Sequence, residues 1–137
     1  MVYKHKVAYY ECDGMRITHH SNYVRFMEEA RIDFLDKLGY GYEKMESDGV
    51  VSPVIRVNCN FKRPTKFQDE IEIEISVREI TTFKIKFDYV MKVGKDIVCT
   101  AESQHCFLEN GKPVSLAEKY PDLFTQLSEG GNLVGLV

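Results

Sequence analysis

NYVRFMEEARIDFLDKL, residues 22–38, is the stretch that decides the fold, because no other segment has so long a helical pattern. Its apolar side chains recur every three or four positions, with charged residues on the opposite face; they are Tyr23, Phe26, Met27, Ala30, Phe34, Leu35 and Leu38. Ser21 or Asn22 offers an N-cap, and Gly39 suits the position after the last turn. The pattern predicts one helix over residues 22–38, about 25 Å long.

Outside this helix the chain alternates apolar and polar residues. Residues 70–78, EIEIEISVR, alternate most strictly, and a similar pattern occurs in residues 2–9, 53–61, 83–93 and 96–109. This period of two predicts an antiparallel sheet with one face in solvent. Glycine-containing turns at residues 93–96 and 110–111 separate or follow the last strands.

The order of a strand, a long helix and four further strands predicts an α+β domain, residues 1–137, with one sheet against one principal helix. Residues 115–128 suggest short helical turns broken at Pro121, and about ten C-terminal residues are expected to form a tail. A five-stranded sheet curled around one helix covers that helix on one side only. A second subunit is therefore expected, as a homodimer or homotetramer.

Composition narrows the possible functions. The net charge of −3 gives no general attraction to nucleic acid or to an anionic membrane, so no partner of either kind is expected. The longest apolar runs are only a few residues, and the segment MVYKHKVAYY alternates in a way unlike a signal peptide. A cytoplasmic location with reduced cysteines is therefore expected.

A polar cluster stands immediately before the helix, in YYECDGMRITHHSNY, residues 9–23. From the residues alone, Asp13 is best explained as a turn residue that bonds its own backbone. His20 is equally consistent with a helix-entry residue and with a functional ring. Adjacent histidines on an extended turn are expected to diverge. No further ligand lies at a zinc-like spacing, so a metal site is disfavoured.

The same cluster resembles a known family. The matching residues are Tyr10-Glu11-Cys12-Asp13, His20-Ser21-Asn22-Tyr23, then Phe26, Glu28, Ala30, Arg31 and Leu38-Gly39, and later Phe61-Lys62-Arg63-Pro64 with Asp69-Glu70. They are similar to the acyl-CoA thioesterases of the 4-hydroxybenzoyl-CoA thioesterase and YbgC-like family. The resemblance covers about residues 1–125.

The resemblance implies a hot-dog fold, in which a curved five-stranded antiparallel sheet wraps around one long helix. It implies hydrolysis of an acyl-CoA without a metal or organic cofactor. Asp13 would be the catalytic carboxylate, acting as nucleophile or general base, and the backbone N–H of His20 would polarise the thioester carbonyl. The ring of His20 would orient water or protonate the leaving thiolate. Tyr23 and Asn22 are candidate substrate-binding residues, although Tyr23 is equally consistent with the core and Asn22 with a helix cap. Arg16 is a third candidate, which could narrow the pocket or meet an anionic group.

Two alternatives stay open at the level of sequence: a thioesterase for acyl carrier protein, and a non-catalytic domain that binds acyl thioesters. The chain also departs from the family pattern. Arg16 stands where the family usually has glycine, while Gly14 comes earlier, and Glu11 replaces a common aspartate. An arginine pair that contacts the nucleotide in some members has no match before Thr82, so coenzyme A contacts do not transfer.

Overall fold

The computed structural model describes residues 1–129, and its central element is helix α1, Asn22–Lys37. The predicted helix is confirmed, one residue shorter at its C-terminal end. Gly39 has φ +83°, a left-handed conformation that glycine adopts without strain. The N–H of Tyr40 bonds the Leu35 carbonyl at 3.0 Å, which closes the last turn in a Schellman motif.

Five antiparallel strands form the main sheet, in the spatial order β1-β4-β5-β6-β3. Their bounds are β1, Val2–Lys6; β3, Val54–Phe61; β4, Glu70–Ile80; β5, Lys84–Val93; and β6, Asp96–Cys106. The five strands predicted from alternation are thus all present. Beta-strands β1 and β3 form the two edges of the sheet.

The core lies between the sheet and α1. The inward side chains alternate along β4 and β5 as the sequence pattern requires, and they include Ile71, Ile73, Ile75, Ile85, Phe87, Tyr89 and Met91, all buried. Phe34 of the helix meets Phe87 edge to face, with ring centroids 5.7 Å apart. The apolar stripe of the helix is therefore covered by the sheet.

The edge strand β3 presents apolar side chains to solvent. Val54, Ile55 and Phe61 are 47%, 48% and 51% exposed, and Val57 is also exposed. Cys59 is half-buried and contacts the sulfur of Met27 at 3.6 Å, so only part of this strand joins the core.

Several short elements were not predicted. Helix α2 spans Tyr42–Ser47, and a second sheet joins β2, Val50–Val51, to β7, Leu108–Glu109, and β8, Lys112–Pro113. The strand predicted over residues 96–109 ends three residues early, at Cys106, because the chain leaves the main sheet at Phe107, whose side chain is buried.

The C-terminal helical turns are confirmed as α3, Leu116–Lys119, and α4, Pro121–Ser128, with Pro121 opening α4 because proline suits a first helical turn. The predicted tail falls largely on residues 130–137, outside the described residues. No helix within residues 1–129 has the length and apolar character needed to cross a membrane.

A network of hydrogen-bonded polar side chains crosses the core. Arg31 is buried and donates to the hydroxyls of Tyr42 and Tyr89, at 3.3 and 3.1 Å. Tyr89 bonds Ser103 at 2.6 Å, and Ser103 bonds His105 Nε2 at 2.7 Å. Burial, together with the positive charge of Arg31, lowers the pKa of His105 to about 3. His105 is therefore neutral in the folded chain at neutral pH.

Candidate active site

A compact loop carries the sequence-predicted cluster. A single 3-10 turn, Tyr9–Glu11, leads into a bridge between Cys12 and Thr18. Inside that bridge, the Asp13 N–H donates to the Ile17 carbonyl at 2.9 Å. The loop thus closes on itself like a small hairpin and holds Asp13 at its base.

The Asp13 carboxylate has one oxygen engaged and one available. Its Oδ1 accepts the Met15 N–H at 2.8 Å, and its backbone carbonyl accepts the Arg16 N–H at 2.9 Å. The turn role expected from sequence alone is therefore observed. Oδ2 forms no hydrogen bond within residues 1–129, so the carboxylate keeps an oxygen for chemistry.

Glu11 anchors this loop to the start of α1. Its carboxylate is buried, accepts the Ala8 N–H at 2.7 Å and bonds His5 Nε2 at 2.8 Å. Its backbone carbonyl accepts the His19 N–H at 2.8 Å and the side-chain amide of Asn22 at 2.9 Å. Asn22 is consequently buried against the loop and does not line the cleft described below.

His5 extends the anchor to the middle of α1. Its Nδ1 bonds Glu29 Oε1 at 2.9 Å, and Tyr3 donates to the same oxygen at 2.8 Å. Burial and the neighbouring Glu29 carboxylate raise the pKa of Tyr3 to about 12. Sequence reasoning missed this network, because no spacing rule places β1 beside both the loop and the helix.

A cleft of about 520 Å³ opens between the loop, the helix start and the end of β3. Asp13 and His20 both line it. Its walls are mostly apolar, and Lys62 and Arg63 stand among its lining residues; the remaining lining residues are Met15, Ile17, Thr18, Tyr23, Phe61 and Pro64. The structure thus brings together Asp13, His20 and Tyr23, and it leaves Asn22 and Arg16 outside this cleft.

The helix start presents a free donor at His20. The His20 N–H forms no hydrogen bond with any other group in residues 1–129, whereas its carbonyl accepts the Tyr23 N–H at 3.2 Å. The rings of His19 and His20 stack, with centroids 4.2 Å apart, so the expectation that they diverge is wrong. The reason is that the chain already turns here, with the Asn22 N–H bonded to the His19 carbonyl at 3.0 Å.

Tyr23 contributes its ring to the cleft, but its hydroxyl is engaged elsewhere. The hydroxyl bonds Thr65 Oγ1 at 2.9 Å, and Thr65 bonds Thr18 Oγ1 at 2.6 Å. Burial raises the pKa of Tyr23, which keeps the phenol neutral. The buried Thr18 and Thr65 hydroxyls, which sequence reasoning did not single out, therefore fix the cleft wall.

Arg16 lies outside the cleft. Its φ is +67°, a left-handed conformation that few residues other than glycine adopt readily. Its side chain lines a second cavity of about 410 Å³, which Asp13 also lines.

The arrangement suits attack on a carbonyl that carries a good leaving group. An N–H at the start of a helix stabilises negative charge that develops on a carbonyl oxygen. A carboxylate with a free oxygen, lining the same cleft, can act on the carbonyl carbon or on water. Within residues 1–129, no group of three or more His, Cys, Asp or Glu side chains is placed to hold a metal ion.

The fold and this cleft together define a class, the thioester hydrolases of the hot-dog fold. The chain belongs to the thioesterase-like superfamily, whose family model matches residues 7–124. The fold and the hydrolytic class expected from the sequence are thereby confirmed.

Individual relatives agree with this assignment. The chain is 35% identical over 118 residues to an Aquifex aeolicus protein named "Putative esterase", covering 86% of this chain and 92% of the relative. It is 30% identical over 123 residues to the Bacillus subtilis "Putative acyl-CoA thioesterase YneP", covering 88% and 89%. The crystal structure of a DHNA-CoA thioesterase from Staphylococcus aureus superposes with a TM-score of 0.86 at 26% identity, covering 90% and 85%.

Proposed function

We propose that this protein hydrolyses an acyl-CoA to a carboxylic acid and free coenzyme A, with Asp13 as the catalytic group and no metal or organic cofactor. One observation carries the proposal: the free oxygen of Asp13 and the unpaired N–H of His20 belong to residues of the same cleft. The names of the Bacillus subtilis and Staphylococcus aureus relatives support coenzyme A as the carrier. The finer assignment to the YbgC-like branch rests on the motif around His20 and stays a prediction.

The reaction follows from that geometry. The thioester carbonyl oxygen accepts the His20 N–H, so the charge that forms during attack lies at the positive end of α1. Asp13 either attacks the acyl carbon, expelling the thiolate and leaving an anhydride that water cleaves, or removes a proton from the attacking water. Both routes consume one water and release one acid and one thiol. The exposed His20 ring, which lines the same cleft, would protonate the thiolate.

The cleft also suits the coenzyme A part of the substrate. Its apolar walls, which include Phe61 and Pro64, match the uncharged pantetheine arm. Lys62 has no ion pair within 4.0 Å in residues 1–129, whereas Arg63 meets Asp96 at 3.4 Å. We assign the Lys62 ammonium to the coenzyme A phosphates, with Arg63 as a second cation nearby.

A second copy of the chain is proposed to cover β3. An edge strand with exposed Val54, Ile55, Val57 and Phe61 is a template for pairing with another strand. Phe61 also lines the cleft, so the partner would lie beside the reacting groups. The proposed working state is a homodimer, or a homotetramer built from such dimers, and the cytoplasmic location stays a prediction.

Two rival functions are less well supported. Acyl carrier proteins are acidic, and the net charge of −3 on this chain opposes such a partner. A domain that only binds thioesters has no use for a carboxylate oxygen left free beside the helix start. Neither rival explains the cleft better than acyl-CoA hydrolysis.

A free-thiol release assay tests the proposal. Purified protein is given short, long, branched and aromatic acyl-CoAs, each also as the acyl-pantetheine, and thiol is measured with a chromogenic disulfide. We expect turnover of at least one acyl-CoA well above the rate without protein. No release from any acyl-CoA, with protein shown to be folded, would reject the proposal.

A further inference from the structure

A second cavity shares Asp13 with the cleft and is not used by the mechanism above. It measures about 410 Å³, and its lining residues are Tyr9, Cys12, Asp13, Arg16 and Phe67. Asp13 lines both cavities, so a group attached directly to the acyl carbon can enter the second one. The occupant of this cavity is therefore the part of the substrate nearest to the thioester.

Arg16 is the one cation among the side chains that residues 1–129 contribute to this cavity. No carboxylate lies within 4.0 Å of its guanidinium in that part of the chain. Its left-handed φ of +67° costs free energy that glycine would avoid, and no side-chain hydrogen bond to another described residue offsets that cost. Backbone strain without a structural partner points to a role in ligand binding.

Two aromatic rings form the apolar part of the cavity. Tyr9 and Phe67 meet edge to face at 5.6 Å, with an interplanar angle of 85°. The rings are 78% and 44% exposed, so their faces are accessible to a ligand. The cavity thus offers an apolar corner beside a guanidinium that has no anionic partner within residues 1–129.

We infer that the second cavity binds an acyl group that carries a carboxylate of its own, so that the protein prefers acyl-CoAs of dicarboxylic acids, with Arg16 as the specificity-determining residue. This inference rests on the proposed function. The guanidinium binds a carboxylate through two parallel hydrogen bonds, and the aromatic corner packs against the carbons between the two carbonyl groups. Arg16 also offsets the repulsion between that carboxylate and Asp13.

The phosphates of coenzyme A are another source of negative charge. They are separated from the thioester by the whole pantetheine arm, whereas the second cavity includes Asp13 itself. The acyl carboxylate is therefore the group that reaches Arg16. Substrates without the nucleotide distinguish the two sources.

The test compares adipoyl-CoA with hexanoyl-CoA, which differ only in a carboxylate for a methyl group at the sixth carbon. The measured quantity is the ratio of kcat/KM for the pair, in wild type, Arg16→Gly, Arg16→Lys and Lys112→Ala. Lys112 is exposed in β8, lines neither cavity, and its substitution also removes one positive charge. Both acyl groups are measured again as thioesters of N-acetylcysteamine, which lacks the nucleotide.

We expect wild type to favour the adipoyl substrate and Arg16→Gly to lower the ratio about tenfold or more, as for a lost charged hydrogen bond. The ratio for Arg16→Lys should lie between those of wild type and Arg16→Gly, and the ratio for Lys112→Ala should match that of wild type. The thermal midpoint of Arg16→Gly should not fall, because glycine accepts this φ.

Three results would overturn the inference while leaving the proposed function intact. One is hydrolysis of both substrates with no adipoyl preference in wild type. Another is an equal loss on both substrates in Arg16→Gly that disappears on N-acetylcysteamine, which would assign Arg16 to the nucleotide. A third is a ratio unchanged by Arg16→Gly. Failure of every acyl-CoA to react would instead reject the proposed function itself.

Discussion

Asp13 shows how one side chain serves the turn and the chemistry together. Its Oδ1 holds the loop through the Met15 N–H, and the other oxygen is left free. A sequence motif for a turn and a motif for a catalytic carboxylate are therefore not exclusive. The residues that line the cleft were partly predictable, since Asp13, His20 and Tyr23 all lie in one local motif.

Other residues of the site were beyond sequence reasoning. Glu11, His5 and Glu29 meet only because β1 is adjacent to both the loop and α1. Asn22 and Arg16 are residue types that suit substrate binding. Their positions relative to the cleft could not be predicted, because these depend on the loop that closes between Cys12 and Thr18. Contacts of this kind follow from the tertiary fold and leave no periodic signal.

His20→Ala separates the backbone of His20 from its ring. The substitution keeps the N–H at the helix start, so a purely backbone role predicts little loss. We expect a loss in kcat of about tenfold, because thiolate is already a good leaving group and gains only modestly from an acid. An unchanged rate would exclude the ring while leaving the role of Asp13 intact.

At the scale of elements, the loop depends on its anchor. Glu11→Ala removes the acceptor of the Ala8 N–H and of His5, so it should lower the free energy of unfolding by about 1–3 kcal/mol. Activity should fall further than the fraction of unfolded protein explains, since the loop that holds Asp13 loosens. Urea unfolding and thiol release on the same preparation measure both effects. Wild-type activity in a destabilised variant would show that the anchor does not position Asp13.

The network of polar side chains in the core makes the stability of the fold depend on pH. His105 has a pKa of about 3 when folded, below the ordinary unfolded value of about 6.5. Its contribution to stability is complete above pH 6.5 and is lost progressively as the pH falls towards 3, because only the unfolded state takes up the proton there. Arg31 adds to this effect through its positive charge.

His105→Gln removes that titration. The difference in unfolding free energy between wild type and variant should therefore shrink as the pH falls from 7 to 4.5, at fixed protein concentration. Urea unfolding at several pH values measures the difference. A constant difference across the range would mean that His105 is not held neutral by the fold.

Prediction of secondary structure succeeded where a periodic pattern extended over many residues, and it failed where the elements were short. Strand β4 alternates over residues 70–78 and β5 over its ten residues, and the helix pattern spans more than four turns. Helix α2 has six residues, and β2, β7 and β8 have two each, too few for a period to appear. The break at Phe107 was hidden because its burial continues the apolar pattern of β6.

At the scale of the whole molecule, the exposed edge strand predicts assembly. Val57→Lys places an ammonium on β3, where pairing with a second copy would bury it without a partner. We expect the variant to be monomeric at micromolar concentration by light scattering, and wild type to be at least dimeric. Val2→Lys, on the opposite edge strand β1, is the matched control and should keep the wild-type mass. A wild-type monomer would contradict the proposed interface.

The central claim, that Asp13 carries out thioester hydrolysis, is tested most directly by the kcat of Asp13→Asn. The amide keeps the size of the side chain and the acceptor for the Met15 N–H, but it is neither a base nor an anionic nucleophile. With the best acyl-CoA substrate, and Asp122→Asn on the exposed start of α4 as control, we predict a loss of about a hundredfold or more in kcat with an unchanged melting temperature. Turnover of Asp13→Asn within a few-fold of wild type would contradict the account.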